Sequence, residues 1–76
     1  MNKARRKELE KARELLEQAQ SIIEAVQEEE QEAFDNLPEG IQMCERGEAM
    51  EEAASNLESA MDSIQEALDY LEEASV

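Results

Sequence analysis

The sequence contains no histidine and no tryptophan, and its 76 residues include a single cysteine. Without histidine, the chain lacks the commonest general base and the commonest metal ligand. A glycine-rich phosphate loop, a calcium loop and a nucleophile–base pair are also missing. These absences indicate a protein that is not an enzyme and that needs no cofactor or metal. The lone Cys44 allows no internal disulfide; we expect it to be a passive residue at a bend, with an intermolecular disulfide as the alternative.

Long apolar runs are absent as well. No segment is apolar over the length needed to span a bilayer, and the first ten residues, MNKARRKELE, lack the apolar core of a signal peptide. We therefore expect a cytoplasmic protein without membrane contact. A chain this short has room for one domain, residues 1–76, with a small core, and such chains usually need a disulfide, a metal or self-association to be stable. Because a disulfide and a metal are not expected here, self-association or a partner protein is the remaining source of stability.

Helix-forming residues are abundant, and they follow a heptad-like pattern. In two segments without proline, apolar or small residues recur at spacings of three and four. The two series are Leu9, Ala12, Leu16, Ala19, Ile23, Val26 and Ala33, then Met50, Ala53, Leu57, Ala60, Ile64, Ala67, Leu71 and Ala74. They predict helices over residues 2–34 and 47–74. Between them Pro38 and Gly40 predict a corner over residues 35–46 that contains a short helical turn.

The two series complement each other when the chain is folded back so that paired residue numbers sum to 83. Leu9 then faces Ala74, and beside the seam Gln20 faces Ser63. Nearly every layer of the seam sets a large side chain against an alanine, which lets two helices approach closely. The pattern predicts an all-α, antiparallel two-helix hairpin with an alanine-rich coiled-coil seam.

A second apolar series lies beside this seam. The same pairing places Leu15 opposite Leu68 and Ile22 opposite Met61, on one flank of the hairpin, while the other flank is polar. Contiguous exposed apolar surface usually marks an interface. We therefore expect these four residues to form a dimer flank, through which two hairpins make a four-helix bundle. Docking of this flank on a different protein is the alternative.

Acidic residues dominate the charge, and they are unevenly distributed. The net charge is −14; residues 1–13 carry six basic and two acidic side chains, whereas residues 14–76 carry 19 acidic side chains and one arginine. Seven glutamates around the corner form what we term the acidic pole. They are Glu28, Glu29, Glu32, Glu45, Glu48, Glu51 and Glu52. At the opposite end, we expect Lys11 and Arg13 to neutralise the acidic last turns of the second helix.

The acidic pole indicates the kind of partner. It repels phosphates, so we expect no direct binding of nucleic acid. It favours a basic protein surface, including one that normally receives nucleic acid. The alternative is that the acids only keep a small helical bundle soluble.

Three stretches carry a resemblance to known proteins: AFDNLPEG (33–40), ERGEAMEEA (45–53) and NLESAMDSIQEALDYLEEA (56–74). They look like small acidic helical proteins encoded by phages and mobile elements of Gram-positive bacteria. Small acidic phage proteins include inhibitors of host defence, among them anti-CRISPR proteins that occupy the DNA-binding site of a CRISPR nuclease. By analogy of class, the resemblance implies an inhibitor in the bacterial host cytoplasm that blocks a basic surface of a host nuclease by charge mimicry. It carries over no catalytic residue, and a structural or adaptor homodimer is the alternative.

Overall fold

A computed structural model describes all 76 residues of the chain. The protein is all-α, with 88% of its residues in helices and no strand. The helices are α1 (Lys3–Asp35), α2 (Glu39–Gln42) and α3 (Glu45–Ala74). The predicted all-α class is therefore confirmed, and the two long helices begin and end within two residues of the bounds expected from the sequence.

Local sequence explains where the helices begin and end. The Asn2 side chain accepts a hydrogen bond from the backbone N–H of Arg5 at 2.8 Å, which caps the first turn of α1. Pro38 immediately precedes α2, and because proline cannot continue a helix, α1 ends before it. Cys44 lies at the start of α3 with an extended backbone but without a side-chain cap.

The two long helices pack side by side. Gln20 Nε2 donates a hydrogen bond to Gln65 Oε1 across the pair at 3.1 Å, so Gln20 meets a residue two positions beyond its expected partner, Ser63. Arg13 borders the same groove as Glu72, so the early turns of α1 lie beside the late turns of α3. The molecule measures 58 × 15 × 12 Å, and its radius of gyration of 17.3 Å exceeds the about 11 Å of a compact domain of this length. The architecture is a long extended helix pair.

Burial is limited because two helices alone cannot enclose a core. Leu68, with 8% of its surface exposed, is the only buried hydrophobic residue, and Gly47 is the only other buried residue. Most contact between the helices comes from half-buried side chains. On the first part of α1 these are the predicted seam residues Leu9, Ala12, Leu16, Ala19 and Ile23.

Beyond Ile23 the half-buried stripe of α1 departs from the predicted seam. Val26 is 42% exposed and Ala33 is exposed, whereas Gln27 and Phe34, one position further along, are half-buried. A strict seven-residue repeat drifts by about 20° per heptad around a straight α-helix. The drift accumulates along α1 until the next residue takes the inward position.

The buried stripe of α3 keeps a regular alternation of four and three residues, but it includes residues beside the predicted seam. Ala54 and Met61 are half-buried and Leu68 is buried, and each of them follows a predicted seam residue. In contrast Ala53 and Ala74, which belong to the predicted seam, are exposed. The other six predicted seam residues of α3 are half-buried, so the face that α3 turns toward α1 is the predicted one, widened by one position on the side of Leu68.

The corner is held together by α2. Gln42 Nε2 donates hydrogen bonds to the carbonyl oxygens of Phe34 (3.1 Å) and Leu37 (3.0 Å), where the helical partners of α1 run out. The backbone of Gln42 lies so close to Gly47 that a Cβ atom on Gly47 would overlap it. Glycine is thus needed at 47 for close approach, since no glycine in the chain has a positive φ. No spacing or composition pattern of the sequence predicts this contact between Gln42 and Gly47.

Candidate protein-binding surfaces

The acidic pole lies at the corner end of the helix pair. Three of its glutamates occupy the last two turns of α1, and four occupy the first two turns of α3. All seven residues are exposed. The segment between these two sets of glutamates includes the short α2, whose Gln42 contacts both the end of α1 and the start of α3.

No cation neutralises the acidic pole. The two ion pairs of the chain, Lys11 with Glu8 and Arg13 with Glu17, span 3.2 Å each and lie in the first half of α1. Arg46, the only basic residue at the corner end, takes part in neither. The carboxylates of the pole are therefore available to an external basic group.

Helix electrostatics explains only part of this concentration of acid. Glu45 and Glu48 lie in the first turn of α3, where the positive end of the helix dipole stabilises negative charge. Glu32 and Asp35 lie in the last turn of α1, where the dipole disfavours it. The acids at the end of α1 thus work against the stability of that helix, and helix formation does not account for them.

The basic start of the chain makes no ion pair with α3. Lys11 and Arg13 were expected to neutralise the acidic last turns of α3, but both pair with glutamates of α1. Arg13 borders a groove together with Asp69 and Glu72, yet its ion pair is with Glu17. Partners three or four residues apart on one helix are always within reach, which is why the local pairs form. The side chains in both pairs are more than half exposed, so the pairs add little stability.

The structure does not bring the four residues of the predicted dimer flank together. Leu15 and Ile22 are each 65% exposed, whereas Leu68 is 8% exposed and Met61 is half-buried. Leu68 borders a groove with Gln20, a residue of the flank expected to be polar. The reason is geometric. In an antiparallel helix pair, the residues that directly follow the seam positions of the two helices lie on one side of the pair, and the residues that directly precede them lie on the other. Leu15 and Ile22, which precede the seam, lie on the other side of the pair.

A different apolar surface is exposed on α1. Leu15 and Ile22 are joined by Val26, which is 42% exposed. Their spacings of seven and four residues add to three helical turns, so the three side chains line up along the helix axis. We term them the α1 ridge. Tyr70 of α3, 63% exposed, precedes the seam on its own helix and therefore lies on the same side of the pair.

Three other features bear on function: possible metal ligands, the thiol of Cys44 and the apolar character of the helices. No three Cys, Asp or Glu side chains converge closely enough to hold a metal ion. Cys44 is exposed, and its thiol donates a hydrogen bond to the carbonyl oxygen of Ile41 at 2.8 Å. None of the helices combines the length and the apolar character that crossing a bilayer requires.

The sequence matches no protein-family model, and no significant similarity connects it to a curated protein or to a solved structure. A functional argument for this chain therefore depends on its own two surfaces, the acidic pole and the α1 ridge.

Proposed function

We propose that this protein is a non-enzymatic, acidic binding protein whose corner end occupies a basic, nucleic-acid-binding surface of another protein. The observation that carries the proposal is the acidic pole: seven exposed glutamates at one end of the molecule without an ion-pair partner. A basic surface supplies the missing counter-charge. In its specific form, the protein is a phage-type inhibitor of the anti-CRISPR kind, which excludes nucleic acid from a host defence nuclease by charge mimicry.

The charge density of the acidic pole supports this role. Its seven glutamates occupy two turns of α1 and two adjacent turns of α3, which is about 11 Å of axis. Duplex DNA carries one phosphate charge per about 1.7 Å, or about six charges over the same length. A basic channel would thus meet a similar number of negative charges over a similar distance.

A second candidate is a structural or adaptor homodimer whose acids only provide solubility. We propose for both candidates that the helix pair is the antiparallel hairpin expected from the sequence, and that two copies associate into a four-helix bundle. The exposure of Leu15 and Ile22, 65% each, favours such association. The two candidates differ in one respect, because mimicry requires the acidic pole itself, whereas solubility is served by acids anywhere on the surface.

A matched pair of triple variants separates them. Glu28→Lys/Glu51→Lys/Glu52→Lys reverses charge within the acidic pole, and Glu24→Lys/Glu58→Lys/Glu66→Lys makes the same change on exposed residues outside it. Each wild-type or variant protein is immobilised and used to capture proteins from a bacterial lysate, and capture is repeated in the presence of competing duplex DNA and at high salt. Circular dichroism verifies that both variants stay helical.

Under the proposal, the wild type and the outside variant capture a nucleic-acid-binding protein that DNA displaces, and the pole variant does not. Capture that survives reversal of the acidic pole, or that is lost equally in both variants, would exclude charge mimicry and leave the homodimer.

A further inference from the structure

We infer that the α1 ridge binds a second copy of this chain in antiparallel orientation, with Lys7 and Lys11 of each copy facing Glu32 and Glu29 of the other. This inference rests on the proposed self-association. It engages Glu29 and Glu32 of the acidic pole and leaves the other five glutamates of the pole free for a basic partner. It names a face different from the flank expected from the sequence, because Met61 and Leu68 are turned toward α1 within the chain.

The α1 ridge has the form of a helix-packing surface. Leu15, Ile22 and Val26 extend over 11 residues, about 16 Å of helix, and they are 65%, 65% and 42% exposed. The ridge lies about a quarter of a turn from the stripe that contacts α3, since Leu16 of that stripe directly follows Leu15. A second helix can therefore dock on the ridge without disturbing the contact between α1 and α3.

Charge flanking the ridge selects a second copy as the occupant. Lys11 and Glu29 are 18 residues apart, which is five helical turns, so they project from the same side of the ridge. Lys7 and Glu32 lie at the same rim, further toward the two ends of α1. All four residues are exposed, and only Lys11 has an ion pair, with Glu8 on its own helix. The rim is thus basic at one end and acidic at the other.

The arrangement is self-complementary about a single point. The midpoints of Leu15 with Val26, of Lys11 with Glu29 and of Lys7 with Glu32 all fall within one residue of Gln20. A two-fold axis near Gln20 therefore stacks ridge on ridge and brings each lysine against a glutamate of the other copy. A parallel arrangement would place the two rims on opposite sides of the interface, where no lysine meets a glutamate of the other copy. A second copy therefore provides an acidic rim for the lysines and a basic rim for the glutamates. A different protein would need the same spacing of charges to fit this surface equally well.

The surface of the chain is large enough for such an interface. Its accessible area is 5876 Å², compared with about 4,700 Å² for a globular protein of this mass. The difference of about 1,200 Å² exceeds the about 800 Å² that each partner buries in a standard interface. In the antiparallel dimer the two corners lie at opposite ends. Each end then carries the five glutamates of an acidic pole that do not pair with lysines of the other copy.

The apolar part of the inference is tested by sedimentation equilibrium of the purified protein between about 1 and about 100 μM. The wild type should be a dimer at the upper concentrations. Leu15→Gln/Ile22→Gln should be monomeric there, while Met43→Gln/Val76→Gln, which makes the same chemical change at exposed positions off the ridge, should match the wild type. A monomeric wild type, or a ridge variant that dimerises like the control, would overturn the inference. Far-ultraviolet circular dichroism distinguishes a folded monomer from an unfolded chain.

The orientation is tested by charge reversal. Lys11→Glu and Glu29→Lys should each raise the dissociation constant of the dimer about tenfold, because each replaces two symmetry-related attractions with repulsions. The double variant Lys11→Glu/Glu29→Lys should restore wild-type affinity. Glu24→Lys, which changes the net charge as Glu29→Lys does but lies off the rim, is the matched control and should not weaken the dimer.

Whether Glu29→Lys weakens or strengthens the dimer distinguishes the antiparallel register from a simple effect of net charge. If only net charge mattered, this variant would dimerise more tightly than the wild type because it reduces repulsion between two acidic chains. Tighter dimerisation, or a double variant no better than the two single variants, would overturn the antiparallel register. Because these measurements contain no other protein, their failure leaves the role of the acidic pole unaffected, and a failed capture experiment leaves the dimer unaffected.

Discussion

At the scale of single residues, Gly47 is the position where the chain tolerates least change. It is buried in a protein that buries almost nothing, and it lies against the backbone of Gln42. The Gln42 side chain in turn bonds the carbonyl oxygens of Phe34 and Leu37. One residue of α2 thus contacts the end of α1 with its side chain and the start of α3 with its backbone. The angle at which the two long helices leave the corner depends on this contact.

The two glycines of the corner provide a matched test. Gly47→Ala should lower the free energy of unfolding by about 2 kcal/mol, since a methyl group there overlaps backbone that cannot move without shifting α2. Gly40→Ala should be neutral or stabilising by up to about 1 kcal/mol, because nothing lies within 4 Å of a Cβ at that position and alanine favours the helix. Urea unfolding followed by circular dichroism measures both, and equal effects of the two substitutions would contradict close packing at Gly47.

At the scale of helices, the buried stripe of α1 follows no strict heptad. The stripe of α1 passes from Ile23 to Gln27, and Val26 is left exposed as part of the α1 ridge. The departure has a physical cause, because a straight helix repeats every 3.6 residues and not every 3.5. On α3 the buried stripe is wider than the predicted seam and includes Leu68, which the sequence pattern had placed on an exposed flank.

Two leucines of similar sequence context should therefore differ in their contribution to stability. Leu68→Ala should destabilise the chain by about 2 kcal/mol, because Leu68 is 8% exposed and its removal leaves a gap between the helices. Leu15→Ala should change the stability of the monomer by less than about 0.5 kcal/mol, because Leu15 is 65% exposed. Thermal unfolding at a protein concentration low enough to keep the chain monomeric compares them. A larger loss of stability for Leu15→Ala than for Leu68→Ala would show that Leu15, and not Leu68, packs between the helices.

At the scale of the whole molecule, shape and charge act together. A 58 Å rod with a net charge of −14 keeps its acids further apart than a compact domain would, yet seven of them lie at the end of α1 and the start of α3, the two helix ends next to the corner. Only two exposed ion pairs offset the repulsion, and both are local to α1. The folded chain is therefore under net electrostatic repulsion.

Salt should consequently stabilise this protein. Raising sodium chloride from about 10 mM to about 0.5 M shortens the screening length from about 30 Å to a few Å and removes most of the repulsion. The melting temperature should rise by about 4 °C or more, which corresponds to about 1 kcal/mol for a chain of this size. A melting temperature that falls with salt would show that attractive pairs outweigh the repulsion among the acids.

Much of this architecture follows from local sequence. Helix-forming composition, the spacing of apolar residues and Pro38 are enough to predict two long helices separated by a corner, because each of these signals is local in sequence. The acidic pole could be located as well, since a chain that turns back on itself brings the acids of both helices to the same end. Neither conclusion needs a long-range distance.

Other features depend on how the helices pack. The side of the pair on which Leu15, Ile22, Met61 and Leu68 lie depends on the rotation of each helix and on their opposite directions. A one-residue shift of the buried stripe exchanges a core position for an exposed one, as it does for Val26 and Gln27. The role of Gly47 depends on a backbone contact with Gln42 that no residue pattern encodes. Local propensity specifies that helices form, whereas the faces they turn to each other and to a second chain result from contacts between residues far apart in sequence.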